Sequence, residues 1–353
     1  MFKTKISFFT ARCIASRVPV WGALIAVTTA LPASFLSPAT AQTVATESQD
    51  AKTRSDSTLR VEKVDGQGWD VFAGKKLFAG YLIDSGGKPI VYPVHGPGGH
   101  AMTRNFPMKK SYGMERGDHD HHRSMWLSHG DVNGIDFWAD DDGCGTVVHR
   151  SGTAEITDDD TAVLVTQNDW LGPDGKRLLS DTRRFEFSVG AKRHIIDCDF
   201  LLKATDGDVK FGDTKEGSFG MRLAASLKVD AKKGGLITNA DRQTNKDAWG
   251  KESPWVDYSG PVDDEMVGVT IHNHPSSFGF PTRWHVRTYG LFAANPFGRS
   301  DFIGGKKRRA ITLLEGKTIR LNYRVVIYQD TFDLEVARSD SQAYHTAGRP
   351  PLK

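Results

Sequence analysis

Apolar residues in this chain recur at every second position far more often than at every third or fourth. Across 318–328 (TIRLNYRVVIY), Ile319, Leu321, Tyr323, Val325 and Ile327 fall on one side, and Arg320, Asn322 and Arg324 begin the other. That is the period of a half-buried strand. Phe219, Met221, Leu223, Ala225, Leu227 and Val229 form a second stripe, opposite Arg222, Ser226 and Lys228. The same alternation predicts strands at 59–64, 69–73, 76–83, 89–94, 146–156, 161–168, 182–189, 194–203, 266–272, 285–293 and 310–314. Turn residues separate them at Ser85-Gly86-Gly87, Pro173-Asp174-Gly175 and Asp206-Gly207. Helical periodicity is nearly absent, with its best stretch near 331–343. Many strands without alternating helices predict an all-β fold: one large antiparallel β-sandwich with few short helices. The alternative is two smaller β domains joined within 230–265.

The ends of the chain read differently. Residues 1–41 have the order of a secretory signal peptide: a basic start (Lys3, Lys5, Arg12, Arg17), an apolar stretch at 18–31, and Ala39-Thr40-Ala41 as a cleavage site. The apolar stretch falls short of the ~20 residues a spanning helix needs. The expected mature protein is exported, to a periplasm or the cell exterior. Residues 42–58 are polar and predict a disordered lead-in. A single sandwich is expected over 59–345, with 346–353 as a tail.

Charge changes the picture only slightly. The chain has 46 Lys+Arg against 43 Asp+Glu, a formal net charge of +3. Without the leader, 42 basic residues face 43 acidic ones, which argues against binding nucleic acid by bulk charge. Cys13 leaves with the leader. Cys198 falls on an apolar face with Ile196, Phe200 and Leu202, so a buried free thiol is a simpler reading than a bond to Cys144.

Four clusters carry candidate chemistry. At 118–129 (DHDHHRSMWLSH), His119, His121, His122 and His129 fall within eleven residues. If that segment is extended, His119 and His121 share a side and His122 faces away. Paired imidazoles can pass protons or bind a metal. Adjacent Asp118 and Asp120 favour their protonated form, which opposes chelation. In 283–298, strand geometry puts His285, Arg287 and Tyr289 on one face and Trp284 on the other, with Asn295 at a loop rim. Glu216, Ser218 and Arg222 share a side of a third segment, where Glu216 could act as acid or base. Tyr92, His95, His100 and Arg104 accompany a glycine-rich loop. His272 and His274 read as loop residues, and the basic run at 306–309 as a solvated hairpin. No phosphate loop, dinucleotide fingerprint or nucleophile elbow occurs.

The block Asp118-His-Asp-His-His-Arg123, followed by Gly130-Asp-Val-Asn-Gly-Ile-Asp-Phe-Trp138, resembles the Asp-His-x-His-His-Arg block of the PmoA-like proteins. Tyr92-Pro93, Arg104, Pro107, Glu216-Gly217, Trp284, Arg287-Tyr-Gly290-type spacing and Asn295-Pro-Phe-Gly298 extend the likeness over about 76–330. Two positions depart from it: Asp120 replaces a usual Pro, and Ser124 a common Gly. The family carries the name methane oxygenase, which implies a copper enzyme with several membrane spans, and this chain lacks such spans. The resemblance also implies a galactose-mutarotase-like supersandwich and a setting among sugar-processing enzymes.

Three functions follow as expectations. The first is an exported carbohydrate-active enzyme, a sugar isomerase, epimerase or lyase. His119, His121, His122 or His285 would act as acid or base with Glu216. Arg104, Arg222, Arg287, Tyr289 and Asn295 would hold hydroxyls or a carboxylate, and Trp126 or Trp284 would stack on the ring. The second is a metal-dependent enzyme, with a divalent metal held by His119, His121 and His122 or His129. The third is a non-catalytic glycan-binding module. The first and third need no cofactor, and all three keep a small carbohydrate or glycan as the expected partner.

Overall fold

The computed structural model describes residues 58–306 and 310–352. The leader at 1–41, the lead-in up to residue 57 and three residues of the basic run lie outside the described residues. Among the described residues, eighteen strands form two eight-stranded antiparallel sheets and a two-stranded ribbon. Numbered in chain order, the first sheet runs β1 (Leu59–Val64), β2 (Gly68–Ala73), β3 (Lys76–Leu82), β4 (Ile90–Val94), β5 (Met125–His129), β11 (Gly217–Arg222), β16 (Leu291–Asn295), β15 (Arg283–Val286). The second runs β12 (Leu236–Asn239), β13 (Trp255–Val262), β14 (Glu265–Asn273), β18 (Thr318–Gln329), β9 (Arg193–Ala204), β8 (Arg177–Val189), β7 (Ala162–Leu171), β6 (Thr146–Ile156). The ribbon pairs β10 (Val209–Phe211) with β17 (Ile311–Leu313).

The alternation seen in the sequence buries one face of each sheet against the other. Phe219 of β11 stacks on Tyr323 of β18 at 5.1 Å and meets Phe200 of β9 at 5.4 Å. Phe78 of β3 meets Phe187 of β8 edge-on at 5.6 Å. The stripe Ile319, Leu321, Tyr323, Val325 and Ile327 is buried throughout. Each such side chain contributes roughly 1.5–3 kcal/mol on burial, so this shared core holds the two sheets together. Cys198 is buried in it as a free thiol, and Cys144 is also unpaired.

Two predicted strands are interrupted. The stripe at 219–229 stays in a strand only to Arg222; beyond it Leu223, in an isolated bridge to Thr103, and Leu227, in a turn, still reach the core. Its neighbour β16 begins at Leu291, so beyond Arg222 it has no strand to pair with. The predicted strand at 285–293 breaks at a turn over 287–290, where Gly290 takes φ +96. Alternation gave no sign of the short β5, β10 and β12, nor of β13. Residues 236–239 and 255–262, inside the stretch considered as a joint between domains, are β12 and β13 of the second sheet.

Each sheet also has a covered outer face. Over the second lies helix α2 (Leu334–Thr346), a short α1 (Ser300–Ile303) having come earlier in the chain. The Asp333 side chain caps α2 by accepting from the backbone amides of Glu335 and Val336. Arg349, just past the helix, pairs with Asp197 and Asp199 on that sheet. Over the first sheet, chain segments on either side of β5 enclose a small apolar cluster: Ile90, Tyr92, Trp126, Trp138, Leu291 and Ala293.

Candidate functional site

Trp126 and Gly220 set the floor of the site. A Cβ on Gly220 would come within 2.7 Å of the Trp126 ring, so only glycine lets that indole lie across β11. Trp138 packs against Trp126 at 4.9 Å. His122 stacks on Trp126 at 5.5 Å, and His119 stacks on both His122 at 4.9 Å and Tyr289 at 5.3 Å. His121 meets His122 edge-on at 4.5 Å.

The three histidines of the block therefore converge, whereas an extended segment would have turned His122 away. The chain bends here: His119 and Ser124 take φ +50 and +53, and the His122 amide donates to the His119 carbonyl at 2.9 Å. Arg104 holds the bend from inside. It donates to Asp118 Oδ1 at 2.9 Å and to the Asp118 and His119 carbonyls at 2.7 Å each. It is buried and spent on the protein, which corrects its assignment as a substrate contact.

Arg222 is also buried. It donates to Asp118 Oδ1 and to His122 Nδ1, both at 3.0 Å. A guanidinium only donates, so His122 Nδ1 must accept and the ring proton sits on Nε2. Burial pushes the His122 pKa far below the usual range, and the neighbouring His121 and Arg222 add to the effect. Burial lowers His121 as well, followed by the charge of Lys88. The neighbouring aspartates thus do not make these two rings cationic; desolvation wins. Burial alone would raise Asp118, but Arg222 and Arg104 outweigh it and hold the carboxyl below the usual range.

Next to the histidines lies a charged corner that sequence reasoning missed. Lys88 is buried, donates to the Trp138 carbonyl at 2.8 Å, and is pushed down to about 8 by that burial. Arg123 pairs with Asp140 at 2.6 Å. Asp118, His119, Asp120, His121, Arg123 and Asp140 line an open depression of about 630 Å³. Neither Lys88 nor Asp140 belongs to the His block, and only the fold brings them to it.

On its other side Tyr289 leads to a second group. Arg222 and Arg287 lie 4.7 and 5.6 Å from its ring centre, and Arg287 also lies 5.6 Å from that of Trp249. Lys215 pairs with Glu216 at 2.7 Å. His285 donates from Nδ1 to the Lys215 carbonyl at 2.9 Å, leaving Nε2 as an acceptor, and burial lowers it to about 4. His122 and His285 are thus both neutral, with opposite tautomers.

Other predicted residues lie elsewhere. Trp126 and Trp284 are both buried, so neither has a face open to a sugar; Trp284 Nε1 donates to the Ser253 carbonyl. Asn295 is buried and fully used: Nδ2 donates to the Thr214 and Lys215 carbonyls, and Oδ1 accepts from the Phe297 and Gly298 amides. His129 points away from the block, donates to the Gly212 carbonyl at 2.9 Å and packs against Phe297. With His129 elsewhere and His122 Nδ1 occupied by Arg222, the predicted ligand set does not assemble. Among the described residues no group of three His, Cys, Asp or Glu is placed to hold a metal ion.

Fold and site can now be set beside known proteins. A family model matches residues 68–342, and the chain belongs to that family, DUF6807, described as a family of unknown function. No curated protein matches the chain. Among solved structures it is similar to the GH36 alpha-galactosidase AgaA of Geobacillus stearothermophilus, at 11% identity and TM-score 0.40, over 77% of this chain and 40% of that one. A Glycoside Hydrolase Family 97 enzyme of Pseudoalteromonas sp. strain K8 matches at 10% identity and TM-score 0.32, over 76% and 33%. A galactose mutarotase related enzyme of Lactobacillus acidophilus matches at 11% and 0.28, over 78% and 95%. The chain spans well under half the length of the two glycoside hydrolases. These likenesses concern the β-sandwich fold, and the functional reading rests on the residues. No helix among the described residues is long and apolar enough to cross a membrane.

Proposed function

We propose that this protein is an exported carbohydrate-active enzyme that moves protons on a sugar or sugar acid at the outer face of the first sheet. One observation carries the reading: His119 and His121 border an open depression and are backed by a neutral, buried His122 whose tautomer Arg222 fixes. Isomerisation, epimerisation and elimination each need one group that removes a proton and another that returns one. His121, kept neutral by partial burial, suits the base. His119, stacked between His122 and Tyr289, supplies the second imidazole. Glu216 and the neutral His285 stand on the far side of Tyr289, where the Glu216 charge opposes, without overcoming, the effect of burial on His285. The finer likeness to PmoA-like proteins fits the His block, and the sugar setting it implies agrees with this site better than the oxygenase name does. The leader supports export.

The test is a screen of neutral sugars and sugar acids by proton NMR in deuterium oxide. It follows anomer interconversion, epimer formation and solvent deuterium uptake. Wild-type protein should accelerate one of these, and His119→Ala/His121→Ala should abolish the effect. A variant that binds and turns over like wild type would refute the proposal. Binding without turnover in the wild type would favour the glycan-binding module.

A further inference from the structure

The charges around Tyr289 do not close on themselves. Arg222, Arg287 and Lys215 act on this phenol from the positive side, Asp118 and Glu216 from the negative. Asp118 is shared by Arg104 and Arg222, and Glu216 is taken by Lys215. Arg287 is left over: among the described residues, it forms no ion pair and its guanidinium makes no hydrogen bond. It is held instead against two rings, Trp249 and Tyr289, each 5.6 Å away. Cation–π contact of this kind keeps a guanidinium beside the rings while leaving its donors unused.

Trp249 is the second unusual residue. Of the eight tryptophans, Trp21 lies outside the described residues, six are buried, and Trp249 alone keeps a partly open ring. Phe302 braces it edge-on at 5.3 Å and His285 at 6.3 Å. Its Nε1 is buried with no hydrogen-bond partner. A partly exposed indole beside an unpaired guanidinium offers an apolar ring surface and a bidentate anion clamp together.

We infer that Trp249, Arg287 and Tyr289 form a subsite for an acidic sugar unit, its ring on Trp249 and its carboxylate on Arg287. The inference rests on the carbohydrate reading above and narrows its substrates to uronic acids and their oligomers. A carboxylate completes the charge balance at Arg287, and the planar fork of Arg matches its two oxygens. Tyr289 joins the subsite to His119, so an acidic unit seated here would present its neighbouring carbon or linkage to the histidines.

The experiment is a tryptophan-fluorescence and calorimetric titration of the full mature chain with five probes. These are the methyl glycosides of glucuronic and galacturonic acid, their neutral glucose and galactose counterparts, and glucose 6-phosphate. The uronosides should bind at least tenfold more tightly than the neutral glycosides. Arg287→Ala should erase that ratio, Arg287→Lys should retain part of it, and Trp249→Phe should weaken both classes. Circular dichroism on each variant separates lost binding from lost folding. Equal affinity for acid and neutral forms, a ratio that survives in Arg287→Ala, or no binding of any probe would overturn the subsite. A phosphate ester that outcompetes the uronosides would overturn the carboxylate assignment. His121-dependent turnover of a neutral sugar, indifferent to Arg287, would refute the subsite yet leave the proton-transfer reading intact. Arg287-dependent uronoside binding without His121-dependent turnover would do the reverse.

Discussion

Both sheets have outer faces that are covered and polar, yet their charges are treated in opposite ways. On the second sheet, Asp197 accepts from Arg324 and Arg349, and Asp199 from Arg349 and Asn322. These two carboxylates and their two arginines are all paired, and helix α2 with the following arm closes over them. On the first sheet, Arg104 and Arg222 share one aspartate, His119 and His121 face an open depression, and Arg287 pairs with no carboxylate among the described residues. Removing one partner of a buried, paired charge is costly, because it leaves the other charge uncompensated. Polar groups kept partly open to water keep their donors and acceptors available to a ligand. The contrast separates the face that holds the fold from the face where we propose that a substrate binds.

Several substitutions can break that contrast. Arg349→Ala should have the largest effect on folding, because it leaves Asp199 wholly buried and Asp197 nearly so with reduced compensation. A loss of about 3–5 kcal/mol is expected from such broken buried pairs, read by urea unfolding. His121→Ala should act in the other direction, lowering turnover by roughly 10²–10⁴-fold, as loss of an acid–base group does. Its thermal midpoint should change little. If His121→Ala instead unfolded the protein while Arg349→Ala left it intact, the two faces would have been assigned the wrong way round.

Acidification should come next in size. Burial lowers His129, His194 and His285 to about 4 and His272 to about 3. Unfolded imidazoles titrate near ~6.5, so below that pH the unfolded chain binds more protons than the folded one. The stability these rings contribute is complete above ~6.5 and is lost as pH falls toward 4 and then 3. Asp257 acts in the opposite sense: burial raises it to about 7, and its contribution is lost as pH rises through that value. Four imidazoles outweigh one carboxyl, so the thermal midpoint should fall between pH 6.5 and 4. A midpoint that is flat or rises there would contradict the buried neutral histidines. The smallest effect should be that of Arg287→Ala on unfolding, within about 0.5 kcal/mol, because this partly exposed side chain has no ion pair among the described residues to lose.

The sequence was a good guide where one physical cause dominates. Period-2 burial located most long strands, because a strand with one wet face must alternate. It missed β5, where Trp126 and Ser128 face a second covered layer and so are buried like Met125 and Leu127. It overran at 219–229 and 285–293, since turn residues can also be buried in alternation. The dense His block marked the site, but its local bend hid which rings meet. Buried Trp126, Trp284 and Asn295 looked like binding residues because aromatic and amide side chains serve both uses. Trp249, Lys88 and Asp140 carried no local signal: only the packing of distant segments puts them beside the histidines.

The measurement closest to the proposed chemistry is ¹⁵N NMR of the imidazoles in the protein from pH 4.5 to 8, with His119→Ala, His121→Ala and His122→Ala for assignment. His122 should stay neutral throughout with its proton on Nε2, and His121 should titrate below the ordinary ~6.5 of free imidazole. A cationic His122 at neutral pH, or a His121 that titrates at or above the free value, would contradict a proton-transfer site built on neutral histidines.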